Sequence, residues 1–257
     1  MSIPDWPRKH YQPGGGNPYL GYVVFGDIKE PLNLSAEKYR SIGVPQGIEL
    51  ASHRREGQSE AFNLFLGGTF MKALTTQDRA LVTAVRAQKQ CIVLQGEIKD
   101  PSTLNYFRDT IGLVTCLLDQ GGVAVLDVQI FKWWSPNEWH KQIFGHGQAY
   151  PRNHVVIQVT PEEGGKEWFH TRGMRKFGRP DISVRHVPPL YRNAVVDLCN
   201  RFIEMQAFGA IVPEGQDIRM ASLPPGMKAY HWGRLDDLAF NNVHIEIAWP
   251  EKSKAIP

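Results

Sequence analysis

Residues 168–205 read WFHTRGMRKFGRPDISVRHVPPLYRNAVVDLCNRFIEM. Within this one stretch the apolar period changes from that of a strand to that of a helix. Ile182 and Val184 alternate with Asp181, Ser183 and Arg185, which predicts a strand over 181–187. Tyr191, Val195, Leu198, Phe202 and Met205 then recur at helical spacing, with Arg192, Asn193, Asp197, Asn200, Arg201 and Glu204 mostly outside that stripe. The spacing predicts an amphipathic helix over 189–208, closed by Gly209. A strand over 167–170 precedes a turn with Gly173 and Gly178 where positive φ is needed, Pro180 stiffening the exit, and Met174 and Phe177 as anchors. Strand, turn, strand and helix in this order do not make a clean βαβ repeat, so the stretch points to an α+β fold.

Outward from it, the chain gives short elements. Downstream, strands are expected near 218–220, 230–232 and 243–249, and upstream a strand at 154–159 ends in the Pro161-Glu162-Glu163-Gly164-Gly165 turn. In the first half the pattern predicts a strand at 19–25, a short helix at 35–41 with Ser35 as N-cap and Gly43 past its end, and paired strands at 47–52 and 60–66 joined by a turn at 53–57. A helix is expected to start at Thr75-Thr76-Gln77-Asp78, a buried strand to run over 91–94, and another helix to start at Asp100-Pro101. That helix carries Leu104, Phe107, Ile111, Val114 and Leu118 and ends at Gly121-Gly122, before a strand at 123–126, so that 60–128 reads β-α-β-α-β. Ser135-Pro136-Asn137-Glu138 is a capping box for a short helix ending near Phe144. The expected fold is therefore α+β, with a mixed or largely antiparallel sheet, or sheets, packed by about four helices. Residues 1–18 read as an irregular arm, 19–250 as one compact domain or two intimately packed halves (19–128 and 129–250), and 251–257 as a polar tail.

Composition narrows the function classes. A formal charge of +3 over 257 residues is too small to argue for nucleic acid. Cys91, Cys116 and Cys199 are far apart and sit in or beside apolar runs, which is the pattern of buried free thiols rather than of disulfides or a zinc site. The N-terminal stretch has no apolar core of a signal peptide, and no segment is long and apolar enough to span a membrane. The expectation is a soluble, cytoplasmic protein without a cofactor. Gly14-Gly15-Gly16 lies between Pro13 and Pro18, without the strand before and helix after that a phosphate loop requires, so it reads as a flexible tether.

Two clusters are candidate sites. His170, Arg172, Arg175, Lys176, Arg179, Arg185 and His186 fall close together, opposed only by Asp181. If Arg172, Arg175 and Arg179 converge, they can clamp a phosphate or carboxylate, with His170 as an acid or base beside it; otherwise the turn is a solvated basic face. Trp133, Trp134 and Trp139 crowd the start of the capped helix, either as a ligand or partner platform or as a packing plug. His140, His146 and His154 lack metal-ligand spacing, and His244 with Glu246 shares one strand face without a third ligand, so no metal site is expected. Asp236-Asp237 are adjacent in a turn-like stretch, and no nucleophile motif occurs.

The run Thr171, Gly173, Met174, Phe177, Gly178, Pro180, Asp181, followed by a strand, a helix and the partly kept Glu214-Gly215-Gln216-Asp217, resembles a bacterial family of unknown function. That family shares a T-x-G-x-x-x-F-G-x-P-[ED] turn leading to strand, helix and short strand. The resemblance covers mainly residues 169–220 and implies no established chemistry. The functional expectation is a non-catalytic protein-binding module, an accessory or antagonist of another protein, working through the 168–186 turn with the Trp133–Trp139 segment. The alternative is an enzyme or sensor binding a small anionic ligand at the basic turn 170–186.

Overall fold

The structure is a computed structural model that describes residues 3–29, 31–55 and 60–250; the 251–257 tail and part of the 53–57 turn lie outside the described residues. The fold is α+β, with seven α-helices and two sheets among the described residues. The chain divides into two compact units, one holding Pro18–Asn153 with the residues up to Arg8, the other Lys9–Asn17 with the residues from His154 on. The boundary thus falls after Asn153, and the first 18 residues are shared between the units.

The first unit is an antiparallel five-stranded sheet, ordered β2 (Ile48–Arg54), β3 (Gln90–Glu97), β1 (Tyr19–Gly26), β4 (Gly122–Asp127), β5 (Lys132–Trp134). β1 is apolar on both sides because both its faces are covered. Val23 and Phe25 join a core with Phe62, Met71, Leu74, Leu81 and Val85 from α2 (Glu60–Phe65), α3 (Gly68–Gln77) and α4 (Arg79–Arg86). The opposite face meets α5 (Asn105–Asp119) and α6 (Pro136–Gln142), where Tyr22 abuts Trp139 edge to face at 5.9 Å. Ser35 caps α1 (Ala36–Tyr39) as expected, and the Ser135 capping box of α6 is complete.

Three expectations here are corrected. Residues 60–65 form a helix, not a strand: Phe62, Phe65 and Leu66 pack into one core, at helical spacing, whereas Leu64 is largely exposed. Asp78 caps α4 rather than opening a helix from Thr75, since its Oδ1 accepts from the N–H groups of Ala80 and Leu81, while Thr75 and Thr76 end α3. Asp100 does not cap α5; its carboxylate pairs with Arg8 at 3.1 Å, and the helix begins at Asn105. The region 60–128 therefore reads α-α-α-β-α-β.

The second unit is a mixed six-stranded sheet ordered β6 (Val156–Pro161), β7 (Glu167–Arg172), β8 (Asp181–Val187), β11 (His244–Ala248), β10 (Met227–Trp232), β9 (Asp217–Ile218). Only β8 and β11 run parallel. One face carries Phe169, Ile182, Val184, Ile245 and Ile247, and α7 (Arg192–Ala207) closes it with Val195, Leu198, Cys199 and Phe202, as the helical stripe predicts. Residues 9–17 are seated on this unit rather than flexible: His10 and Gln12 donate their N–H groups to Phe208 and Gly209 carbonyls. A Cβ at Gly15 would stand 1.9 Å from the Arg179 guanidinium, so a side chain there would have to displace that group. Among the described residues no helix is long and apolar enough to cross a membrane.

Candidate functional site

The turn between β7 and β8 is organised by a buried carboxylate. Asp181 accepts from the Thr171 hydroxyl at 2.8 Å, the Met174 N–H at 3.2 Å and the Asn242 amide at 2.9 Å, and Thr171 in turn accepts from the Ile182 N–H. Burial pushes the Asp181 carboxyl above its usual range, against these hydrogen bonds. Gly173 and Gly178 have φ of 122° and 61°, and Met174 and Phe177 are fully buried between them. The residues of the T-x-G-x-x-x-F-G-x-P-D pattern thus have a structural use at almost every position.

The three arginines do not converge on one point. Arg172 donates to the carbonyls of Leu238 and Ala239, and Arg175 to the carbonyl of Asn241. Arg179 turns the other way, giving its guanidinium to the carbonyls of Gln12, Gly178, Gly209 and Ala210 at 2.9–3.2 Å. Lys176 is also buried, with Nζ 2.9 Å from the His154 carbonyl. In this arrangement the three arginines do not form a common clamp, and the solvated basic face expected as the other outcome is confined to Arg185 and His186. Arg172, Arg175, Lys176 and Arg179 satisfy carbonyls of irregular segments that no strand or helix ladder reaches, whereas Arg185 and His186 are exposed and Arg185 pairs with Glu162 at 2.9 Å.

His170 lies in a ladder of flat groups on the sheet face opposite α7. Arg185 sits 3.8 Å over Trp168, Trp168 stacks on His170 at 4.2 Å, and Phe240 meets His170 edge-on and stacks on His244 at 4.1 Å. The Trp168 indole donates to Ser183, which stands opposite Glu246 on β11. Nδ1 of both histidines is buried without a hydrogen-bond partner. Burial first, then the Arg172 and Arg185 charges, push the His170 pKa down to about 4, and burial lowers His244 as well. His170 is thus a neutral packing group at neutral pH, poorly placed for proton transfer. Between about pH 6.5 and 4 the unfolded chain binds a proton at this residue that the folded chain refuses. The stability His170 contributes above its unfolded pKa is accordingly lost as pH falls through that window. Chemical denaturation is expected to show a drop of up to about 3 kcal/mol from this residue there, removed in His170→Phe, which keeps a ring in the stack, while the smaller share from His244 remains.

What the ladder and the arginines hold is the segment 233–243, between β10 and β11. Phe240 is buried in the ladder, while Leu238 is 95 % and Trp232 is 62 % exposed. Leu235, Tyr230 and Val243 add further exposed apolar surface on the same hairpin. Asp237 is used locally, its Oδ1 accepting from the Ala239 N–H, and Asp236 pairs with Arg234. Sequence reasoning passed over this hairpin as a site. The signal available was an apolar-rich loop, GRLDDLAF, between two strands.

The indole platform is overturned. Trp133, Trp134 and Trp139 are all buried; Trp133 donates to the Phe70 carbonyl and Trp139 to the Thr115 hydroxyl. Trp134 and Trp139 pack edge to face, so the three rings seat β5 and α6 on the sheet. Near them Asp119 accepts from His140, Lys38 and Tyr39; burial opposes its charge, but the Lys38 and His140 hydrogen bonds hold its pKa below the usual value. Among the described residues no group of three or more His, Cys, Asp or Glu could hold a metal ion. A small cavity beside Trp6, Tyr39, Arg108 and Ile143 has about 10 Å³, room for about one water.

No protein-family model matches this chain, and no match was found among curated proteins or solved structures.

Proposed function

We propose that this chain is a non-catalytic protein-binding module, acting as an accessory or antagonist of another protein, and that it makes contact through the 230–243 hairpin. The observation that carries this reading is the contrast within one loop. Phe240 is buried and the backbone at Leu238, Ala239 and Asn241 is held by Arg172 and Arg175, yet Leu238 and Trp232 stand in solvent. A loop pinned at its base with large apolar side chains outward has already lost the conformational entropy that binding would otherwise cost. Several large apolar side chains exposed on one short hairpin, with the charged Arg234 and Asp236 among them, suit a protein partner. An exposed tryptophan such as Trp232 is the kind of residue that dominates interface energetics.

The anion-binding alternative draws little support from this geometry, because the guanidinium groups it needs are committed to main-chain carbonyls. The test uses the full chain and a Trp232→Ala, Leu238→Asp double variant as baits in extract from cells that make the protein. Both side chains are exposed, so the melting temperature is expected to stay within a few degrees of the parent. A partner recovered by the parent and lost by the variant supports the reading. Equal recovery by both removes the hairpin from the interface.

A further inference from the structure

The two sheets have four outer strands, and three of them carry evident protection against pairing. β9 has two residues and β5 three, and β2 carries Glu49, His53 and Arg54. The fourth, β6, is six residues long, VIQVTP, without a charge or a bulge in its pairing with β7. Gln158, Val159 and Thr160 on it are exposed. Only Pro161 at its end guards it.

The hydrogen-bond phase of this strand follows from one bond. The Glu162 N–H donates to the Lys166 carbonyl, so 162 and 166 form a hydrogen-bonded pair of the antiparallel β6–β7 ribbon. Counting back by twos, Thr160, Gln158 and Val156 also direct their main-chain groups inward to β7. Ile157 and Val159 direct theirs outward, away from the sheet. An incoming antiparallel strand must therefore bond at 157 and 159.

We propose that β6 is a homodimer edge, pairing antiparallel with β6 of a second copy of this chain about a two-fold axis at Gln158. This register puts Ile157 opposite Val159 and Val159 opposite Ile157, and each of the two pairs exchanges both main-chain bonds. Shifted by two residues one way, the register spends Val159 on Val155 at the strand's end; shifted the other way, it sets Ile157 against Pro161, which has no N–H to give. The side chains fit the same register. Ile157 and Val159 lie on the face shared with Phe169 and the α7 core, so each β-branched residue covers its counterpart and the half-exposed Val159 becomes buried. On the other face Val156 meets Thr160, and Gln158 meets Gln158. A foreign strand could bond to the edge, but nothing in it would have to match this palindrome, whereas a second copy matches it by construction. The interface is small, under the roughly 1,200 Å² of stable complexes, so the dimer forms reversibly with concentration. It is independent of the hairpin reading, since β10 and β11 lie at the other side of the sheet.

The test uses the full chain. Sedimentation velocity from low to high micromolar concentration is expected to show a dimer fraction that rises with concentration. Val159→Pro removes only an outward N–H, so it costs the β6–β7 ladder no bond and is expected to stay folded and monomeric. As an independent readout, Gln158→Cys sets two thiols opposite each other at a non-hydrogen-bonded pair, where the Cα separation suits a disulfide. Cys91, Cys116 and Cys199 are buried and do not compete. Under mild oxidation Gln158→Cys is expected to give a covalent dimer at least tenfold faster than Arg219→Cys, an exposed position elsewhere on the unit. A parent that stays monomeric throughout, a Val159→Pro protein that dimerises like the parent, or equal cross-linking at 158 and 219 overturns the proposal; a strand from another protein on this edge would give the first and third results.

Discussion

Replacing Arg179 by alanine is expected to destabilise the second unit by about 3–5 kcal/mol. The side chain is almost wholly buried and joins Gln12, Gly178, Gly209 and Ala210 through their carbonyls. Each is a charge-assisted bond of about 1.5–3 kcal/mol, and the truncation leaves acceptors facing a void that water fills poorly. The net loss is less than the sum because the Gly209 carbonyl keeps the Gln12 N–H. Lysine at this position keeps the charge but not the planar fork, so Arg179→Lys is expected to recover only part of the loss. Urea denaturation gives the magnitude, and hydrogen exchange gives the place: protection should fall first at residues 9–17 and 208–210. An arginine kept for a ligand would behave differently, since its removal would leave the unliganded protein as stable as before.

The corresponding residue of the first unit is Trp139. Trp139→Ala is expected to cost about 3–5 kcal/mol, the range for deleting a fully enclosed indole. The ring touches Tyr22 at 5.9 Å and Trp134 at 6.3 Å and donates to Thr115 at 2.9 Å, so it links α6 to β1, β5 and α5. Trp139→Phe retains most of the packing and loses the hydrogen bond, and is expected to cost about 1–2 kcal/mol. The measurement is the denaturation midpoint together with the exchange rates of α5 and α6. An exposed platform tryptophan would give a change within about 0.5 kcal/mol instead.

Much of the fold was legible because local patterns agreed with it. The alternation at 181–187, the stripe from Tyr191 to Phe202 and the Ser135 capping box all reappear as β8, α7 and α6. The failures have a common cause, which is competition by a distant partner. Asp100 has the right neighbour for a helix cap, yet Arg8 takes its carboxylate. At 60–66 the apolar residues fit both periods, and only the burial of Phe62 beside Phe65 and Leu66 decides for the helix.

The candidate site was less legible for a related reason. Charge in a sequence says that cations are near one another, not which way they face. Arg172, Arg175, Lys176 and Arg179 face their neighbouring loops because those irregular segments leave carbonyls without a strand or helix partner, which the side chains satisfy. The indoles of Trp133, Trp134 and Trp139 fill the core between sheet and helix for the same kind of reason. The hairpin escaped notice because an exposed leucine in a loop is ordinary in sequence; only its fixed backbone makes it informative.

Site-specific photo-crosslinking tests the central claim most directly. A photoreactive residue is placed at Leu238 in one protein and at Arg219, just past β9 and so beside the opposite end of β10 from the hairpin, in another. Light in living cells is expected to attach one and the same protein at position 238, to leave position 219 without that adduct, and to lose the adduct when Trp232→Ala is added. An adduct of equal yield at 219, or none at 238, contradicts the hairpin as the surface of recognition.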